Sequence, residues 1–177
     1  KLNDSEASNF CEFKEFLFSI HKPNEMPSPF HKFHSIEIDR MKKFKLTAVA
    51  YENDESLRAF PPERRGCYFD GEKQLKFFKA YTKANCDWEC VTNFTLAMCG
   101  CVKFSMPRDS VTPVCGWAKA KCYFDAMEQW PNYGKTNKTR KPCDCLEPCI
   151  DIVYDVSTES DAALIKFLAL SIKSYGF

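Results

Sequence analysis

The chain has 177 residues, enough for one domain with a hydrophobic core, or for one domain and part of another. Its formal net charge of +1 gives no reason to expect nucleic acid or an anionic membrane surface as a partner. No run approaches the roughly 18–20 apolar residues that cross a bilayer. Eleven cysteines predict an oxidising, extracellular setting.

The first 66 residues are predicted to form mainly strands. In the aromatic run at 10–20, Phe10, Phe16 and Phe18 could alternate on a strand face, although a short helix fits the run nearly as well. Residues 21–29 contain three prolines and are predicted to be loop or extended chain. Residues 34–41 and 44–51 alternate apolar with charged or polar side chains, which is typical of half-buried strands.

The apolar period changes in the following part of the chain. Residues 71–90 carry apolar side chains every three to four positions, which predicts an amphipathic helix. A second helix is predicted for 117–130, followed by a basic, polar loop at 131–142. Residues 151–157 alternate again and are predicted to form a strand. The stretch from about Ser160 has helical spacing.

Ten of the eleven cysteines lie close together in the chain, with a nearly mirror-symmetric spacing. They are Cys67, Cys86, Cys90, Cys99, Cys101, Cys115, Cys122, Cys143, Cys145 and Cys149. Two cysteines four apart on a helix share a face, and so do two cysteines two apart on a strand. A Cys-x3-Cys helix can therefore lie against a Cys-x-Cys strand as two rungs of a ladder. This geometry predicts the pairs Cys86–Cys145 and Cys90–Cys143, closed by Cys67–Cys149, while the other four cysteines staple a smaller loop.

Other residues fit an extracellular chain. N-glycosylation triplets begin at Asn3, Asn93 and Asn137. Cys11 is the odd cysteine, and two interpretations stay open. Its partner lies upstream of this chain, or it is a free buried thiol that behaves as a small apolar residue.

The segments RRGCYFDGEKQLKFFKAYTKANCDWEC, CGCVKFSMPRD and CDCLEPC together carry a family pattern. They closely resemble the extracellular domain of the degenerin/epithelial sodium channel family, whose Cys-x-Cys-x4-Met-Pro motif is intact in CGCVKFSMP. The lead-ins IHKPNEMP and SLRAFPPERRGC are similar to the arthropod pickpocket branch. The resemblance covers roughly residues 20–156. It implies one of the many possible pairings: Cys67–Cys149, Cys86–Cys145, Cys90–Cys143, Cys99–Cys122 and Cys101–Cys115.

The resemblance also implies an architecture. It is an α+β, disulfide-rich channel ectodomain, with part of a palm β-sheet and a thumb of two disulfide-stapled helices. Residues 1–66 correspond to the partial palm and upstream β segment, and 67–149 to the cysteine-rich thumb. Residues 150–177 correspond to a palm strand and a truncated knuckle-like helix.

The function implied by the resemblance belongs to a larger assembly. Family members are homo- or hetero-trimers of sodium-conducting subunits, anchored in the plasma membrane by two transmembrane helices each. The extracellular thumb relays stimuli through the palm to the pore. Because the membrane helices and the pore motif are missing here, we expect a fragment of a longer subunit. A truncated gene product and a secreted, disulfide-rich binding module with no pore are the alternatives.

The resemblance gives a mixed indication about gating by acid. Acid-sensing relatives carry two carboxylates on the second thumb helix, two and six residues after its cysteine. This chain has Phe124 and Glu128 at those positions, with Asp125 as a neighbour on a different face. Glu128 and Asp125 are therefore the candidate gating residues, while the lost carboxylate argues against proton gating by a carboxylate pair.

The sequence gives weaker support for zinc binding, histidine acid sensing, a tryptophan-lined pocket or catalysis than for a channel ectodomain. Structural zinc sites use Cys-x2-Cys pairs, which this chain lacks. The histidines at 21, 31 and 34 could sense acid, but solvated loop histidines are commoner. Trp88, Trp117 and Trp130 are predicted to pack between helices. Without a Gly-x-Ser-x-Gly motif or a phosphate-binding glycine loop, we predict neither an enzyme nor a cofactor.

Overall fold

A computed structural model of the chain describes residues 15–29, 31–37, 40–136 and 143–163, and its fold is α+β. The strands are β1 (Glu15–Ser19), β2 (Phe33–Glu37), β3 (Arg40–Glu52), β4 (Cys67–Tyr68), β5 (Glu147–Pro148) and β6 (Ile150–Ala163). The helices are α1 (Pro62–Arg65), α2 (Lys83–Cys99) and α3 (Ala120–Thr136), with 3-10 turns at Glu55–Ala59 and Trp117–Lys119.

The chain divides into two compact units. The strand unit comprises the described residues within 1–21, 31–49 and 152–177. The helix unit comprises the described residues within 22–30 and 50–151.

The described part of the strand unit contains two pairs of strands. Strands β1 and β2 are antiparallel, with Phe16 opposite Ile36 and Phe18 opposite His34. Strand β3 pairs with β6. Around Phe18, the His34 ring stacks at 5.5 Å and the Phe44 ring meets it edge-on at 5.0 Å. Cross-strand ring contacts of this kind are the usual stabilising unit of a narrow sheet.

The observed strands confirm most of the strand predictions made from the sequence. The ambiguous aromatic run forms a strand over its described part, and the strands predicted at 44–51 and 151–157 are confirmed. The strand predicted at 34–41 is divided, because its first residues lie in β2 and its last two begin β3. Residues 38 and 39, with Ile38 among them, lie outside the described residues.

The hydrophobic core lies in the helix unit. The main cluster of buried side chains consists of Trp88, Val91, Val102 and Met106. Half-buried side chains packed against that cluster are Met26, Phe78, Leu96, Met127 and Trp130. Two smaller clusters surround disulfides, one with Cys67, Phe69 and Cys149, the other with Cys99, Cys101 and Ala126.

Helix α2 begins at Lys83, so the prediction of a helix from residue 71 is wrong for its first twelve residues (71–82). The N-cap is Thr82, whose hydroxyl accepts a hydrogen bond from the Asn85 N–H at 3.1 Å. At the other end, Gly100 has a φ of 72°, a left-handed conformation that favours glycine and ends the helix.

The segment before α2 has helical spacing but other backbone partners. Gly71 has a φ of 81°, which interrupts any helix at that point. The Glu89 carboxylate accepts hydrogen bonds from the backbone N–H groups of Lys76 and Phe77, at 2.9 and 3.0 Å. Since a side chain from α2 satisfies these two amides, the segment is held outside the helix that its apolar spacing predicts.

The second predicted helix is present and longer than expected. It continues through Pro131 to Thr136, so the loop predicted for 131–142 is wrong over 131–136. A proline removes only one backbone hydrogen bond of a helix. The helix can therefore continue past the proline with a bend instead of ending there. The helical spacing from Ser160 is also misleading, because residues 160–163 belong to β6. Residues 137–142 and 164–177 lie outside the described part of the chain.

Candidate functional site

The candidate site is the disulfide-linked helix pair, α2 and α3, together with the segment that returns from α3 to β6. Cys86 and Cys90 lie one turn apart on α2 and bond to Cys145 and Cys143, with Cα separations of 5.6 and 6.1 Å. These separations lie in the normal range for disulfides. The return segment 143–146 has no regular secondary structure, so the strand expected as the partner of the helix is absent there.

A third disulfide closes the base of this ladder. Cys67 and Cys149 have a Cα separation of 5.0 Å and flank the short parallel pair of β4 and β5. The Cys149 N–H donates to the Tyr68 carbonyl at 2.8 Å, and the Cys149 carbonyl accepts from the Asn53 N–H at 3.0 Å. Strand β3 ends at Glu52, one residue before Asn53, and β6 begins at Ile150, directly after Cys149, so this disulfide lies at the adjoining ends of both long strands.

Two more disulfides join the far ends of the helices. Cys99, the last residue of α2, bonds to Cys122 in the first turn of α3, with a Cα separation of 5.9 Å. Cys101 bonds to Cys115 across a loop, with a Cα separation of 5.1 Å. The structure thus brings together the same five cysteine pairs that the family resemblance implies. Cys11 lies outside the described residues.

A buried arginine fixes the chain as it enters the ladder. The Arg65 side chain is only 2% exposed, and its guanidinium donates to the carbonyls of Phe60 (2.7 Å) and Cys67 (2.9 Å). It also pairs with the Glu72 carboxylate, which accepts from the Phe69 N–H at 2.8 Å. Although burial opposes charge on Glu72, these hydrogen bonds and the charges of Arg65 and Arg58 lower the pKa of its carboxyl.

Polar side chains surround the lower rungs of the ladder. The Tyr68 hydroxyl donates to the Asp144 carboxylate, and the Tyr81 hydroxyl donates to the Leu146 carbonyl at 2.6 Å. The two tyrosine rings meet edge-on with centroids 5.4 Å apart. Burial and the neighbouring carboxylate raise the pKa of Tyr68 to about 12. Both hydroxyls therefore stay protonated at physiological pH and hold the return segment in place.

One carboxylate at this end of the ladder is poorly solvated. Asp87 follows Cys86 on α2, and burial raises the pKa of its carboxyl, while the Lys83 charge opposes that rise and the Glu147 charge adds to it. The Lys83 ammonium pairs with Glu147 at 3.1 Å. Asp87 is therefore a position where ionisation works against the folded state.

The predicted glycosylation sites are unequally placed. Asn93 is exposed on α2, whereas Thr95, the third residue of its triplet, is fully buried. Within the described residues the Thr95 hydroxyl has no hydrogen-bond partner. Asn3 and Asn137 lie outside those residues.

The candidate gating carboxylates both lie on α3. Glu128 is exposed, and Asp125 is half-buried with its carboxylate 2.7 Å from the Lys121 ammonium. Because they are three residues apart on a helix, Asp125 and Glu128 occupy neighbouring surface positions. Phe124, at the position where the resemblance implies a second carboxylate in acid-sensing channels, is exposed.

The three tryptophans have different environments. Trp88 is buried in the main cluster, and Trp130 packs against that cluster with its ring 5.8 Å from Phe94. Trp117 is 92% exposed, so the prediction that it packs between helices is wrong. It lies in the 3-10 turn before α3, where no part of the described chain covers it.

Two buried polar side chains were not singled out by the sequence. They are Arg65, which hydrogen-bonds residues two to seven positions away, and Asn85, which hydrogen-bonds a segment about 60 residues away. A single arginine or asparagine among many polar residues gives no periodic signal, and the only sequence signal near them is the position of Cys67 and Cys86. Among the described residues, no group of three or more His, Cys, Asp or Glu side chains is placed to hold a metal ion.

The family of this five-disulfide α+β chain is shown by comparison with known protein families. The family model for the amiloride-sensitive sodium channel matches residues 2–173, so the chain belongs to the amiloride-sensitive, or degenerin/epithelial, sodium channel family. Members of this family are ion channels, not enzymes. In the described part of this chain, no helix has the length and apolarity needed to cross a membrane.

Individual relatives point to the pickpocket group. The chain is 25% identical to Pickpocket protein 28 of Drosophila melanogaster over 169 residues, which is 93% of this chain and 27% of that protein. It is 31% identical to Pickpocket protein 11 of the same fly over 112 residues, 63% of this chain and 20% of that protein. Sodium channel protein Nach of Drosophila virilis is 26% identical over 115 residues, 63% of this chain and 28% of that protein. The chain thus spans about a quarter of the length of these relatives.

Proposed function

We propose that the chain is the extracellular portion of a pickpocket-like subunit in a trimeric sodium channel. In this proposal residues 67–149 are the thumb, and the strands on either side belong to the palm. The thumb takes up an extracellular stimulus and passes its movement through the palm strands to a pore formed by other parts of the subunit.

The observation that carries the proposal is the placement of the base disulfide. Cys67–Cys149 lies where β3 ends and β6 begins, and the ladder above it ties α2 to the return segment. In the chain-entropy model, a disulfide closing a loop of about 80 residues contributes about 4–5 kcal/mol, less when bridges are nested. A helix pair stiffened in this way can act as a lever on the two long strands.

Extracellular location is tested with the exposed tryptophan. In the full-length subunit on intact cells, a Trp117→Cys variant should react with a membrane-impermeant thiol reagent, while the wild type gives the background. Labelling only after permeabilisation would place this segment inside the cell and overturn the proposal.

Channel function is tested by recording from cells that express the full-length subunit, alone and with other pickpocket subunits. We expect an amiloride-sensitive, sodium-selective current. A subunit that reaches the surface in every combination without any such current would contradict the proposal and favour a binding module without a pore.

A further inference from the structure

The loop between β1 and β2 belongs to the helix unit, although both of its flanking strands belong to the strand unit. Within residues 22–30, the Met26 side chain packs against the main hydrophobic cluster and Ser28 is buried. A loop with three prolines would ordinarily be solvated. In this protein the loop is instead packed against the helix unit through Met26 and Ser28.

The side-chain amide of Asn85 makes hydrogen bonds that hold this loop against α2. Asn85 is fully buried in the first turn of α2. Its Oδ1 accepts a hydrogen bond from the Met26 N–H at 3.0 Å, and its Nδ2 donates to the carbonyls of Asn24 (2.7 Å) and Ala80 (3.4 Å). An amide side chain accepts through its oxygen and donates twice through its nitrogen, so Asn85 can serve all three backbone groups.

A second anchor holds the start of the loop. The Lys22 ammonium contacts both Asp151 carboxylate oxygens, at 2.7 and 2.8 Å, and lies 3.1 Å from Glu25. Burial disfavours the charged ammonium, but the hydrogen bonds to Asp151 and Glu25 outweigh it and raise the pKa of Lys22. Asp151 comes two residues after Cys149, so this anchor lies beside the base disulfide.

We propose that Asn85 is a positioning residue, which latches the β1–β2 loop to α2 and transmits movement of α2 to that hairpin. Asn85 precedes Cys86, whose disulfide to Cys145 makes the first turn of α2 part of the stiff ladder. A displacement of this turn carries the loop with it, and the loop continues covalently into β1 at one end and β2 at the other. The inference rests on the proposed function, because it names a route by which the thumb acts on the strands.

The test replaces the amide by the isosteric carboxylate. In Asn85→Asp the side chain can still accept from Met26, but it cannot donate to Asn24 and Ala80. Gln129→Glu is the matched control, because it makes the same chemical change at an exposed position of α3. If Asn85→Asp fails to reach the cell surface, Met26→Ala is the second variant: it loosens the loop by removing the Met26 side chain from the main hydrophobic cluster, while the backbone hydrogen bond to Asn85 remains.

The first readout is hydrogen exchange of the purified full-length subunit. Loss of one or two hydrogen bonds should speed backbone exchange in residues 22–30 and in β1 and β2 by up to ~10-fold. The middle of α2 and the control variant should be unchanged. Unaltered exchange in β1 and β2 would overturn the inference.

The second readout is the resting amiloride-sensitive current per surface subunit. The inference predicts that it changes in Asn85→Asp and not in Gln129→Glu. Faster exchange with an unchanged current would show a latch that only stabilises the fold, and would overturn the transmitting role. Absence of current in the wild type would refute the proposed function instead, while the exchange result would still decide whether the latch holds the hairpin.

Discussion

Asp87 lies on α2 between the two cysteines that form the ladder, at a site where burial penalises its charge. Its pKa is raised on folding, so the stability that this group contributes is greatest below the unfolded pKa of about 3.9 and is lost as pH rises through the folded pKa. Asp87→Asn should therefore raise the melting temperature at pH 7, and the gain should vanish near pH 4.

Thermal unfolding of both proteins across this pH range provides the measurement. Asp155→Asn, at an exposed position of β6, serves as the control and should change little. A melting temperature for Asp87→Asn that is equal to or below the wild-type value at pH 7 would contradict the assigned cost of ionisation.

Two threonines on α2 offer a matched comparison. Thr95 and Thr92 are both buried, but only Thr92 bonds its hydroxyl, which donates to the Trp88 carbonyl at 2.7 Å. Thr95→Val should stabilise the fold by up to ~1 kcal/mol, because it removes an unpaired buried hydroxyl at constant volume. Thr92→Val should cost about 0.5–1.5 kcal/mol.

Denaturant unfolding measures both differences. A larger loss of unfolding free energy for Thr95→Val than for Thr92→Val would contradict this prediction. The same substitution at Thr95 also removes the glycosylation triplet of Asn93, so the comparison is made on unglycosylated protein.

Among the elements, the entry into the ladder depends on the arginine that ends α1. Arg65 uses its planar guanidinium to reach two carbonyls and a carboxylate, and a lysine cannot reproduce that geometry. Arg65→Lys should lower the free energy of unfolding by ~1–3 kcal/mol. Arg64→Lys, the exposed neighbour, should cost well under ~1 kcal/mol. Equal losses of unfolding free energy for the two substitutions would show that the Arg65 side-chain contacts do not stabilise the fold.

The sequence predicts the elements that depend on local patterns better than those that depend on contacts between distant residues. Cysteine spacing predicts the ladder because the face-sharing rules for helices are local, and alternation predicts β3 and the described start of β6 for the same reason. The start of α2 was missed because Glu89, thirteen residues downstream of Lys76, satisfies the backbone that would otherwise be helical. The latch of Asn85 was missed because its partners are about 60 residues away in the chain.

On the scale of the whole molecule, burial is unevenly distributed. None of residues 15–21, 31–37, 40–49 and 152–159 of the strand unit is buried, and several of their apolar side chains are at least half exposed. These are Phe16, Leu17, Phe33, Leu46 and Val49. Two-stranded pairs are only marginally stable in water, so these strands require further partners. In the proposed channel subunit, we expect further protein to cover these exposed apolar side chains.

In the proposed function, the stiffness of the ladder allows the helix pair to act on the channel. This role is tested most directly by the sodium current per surface subunit in the full-length double variant Cys90→Ser/Cys143→Ser, compared with the wild type. This variant removes one rung without leaving a free thiol, while Cys86–Cys145 and the base disulfide remain. We predict a clear change in stimulated current at equal surface density. An unchanged current would mean that the rung contributes to folding only, and that movement does not pass through the ladder.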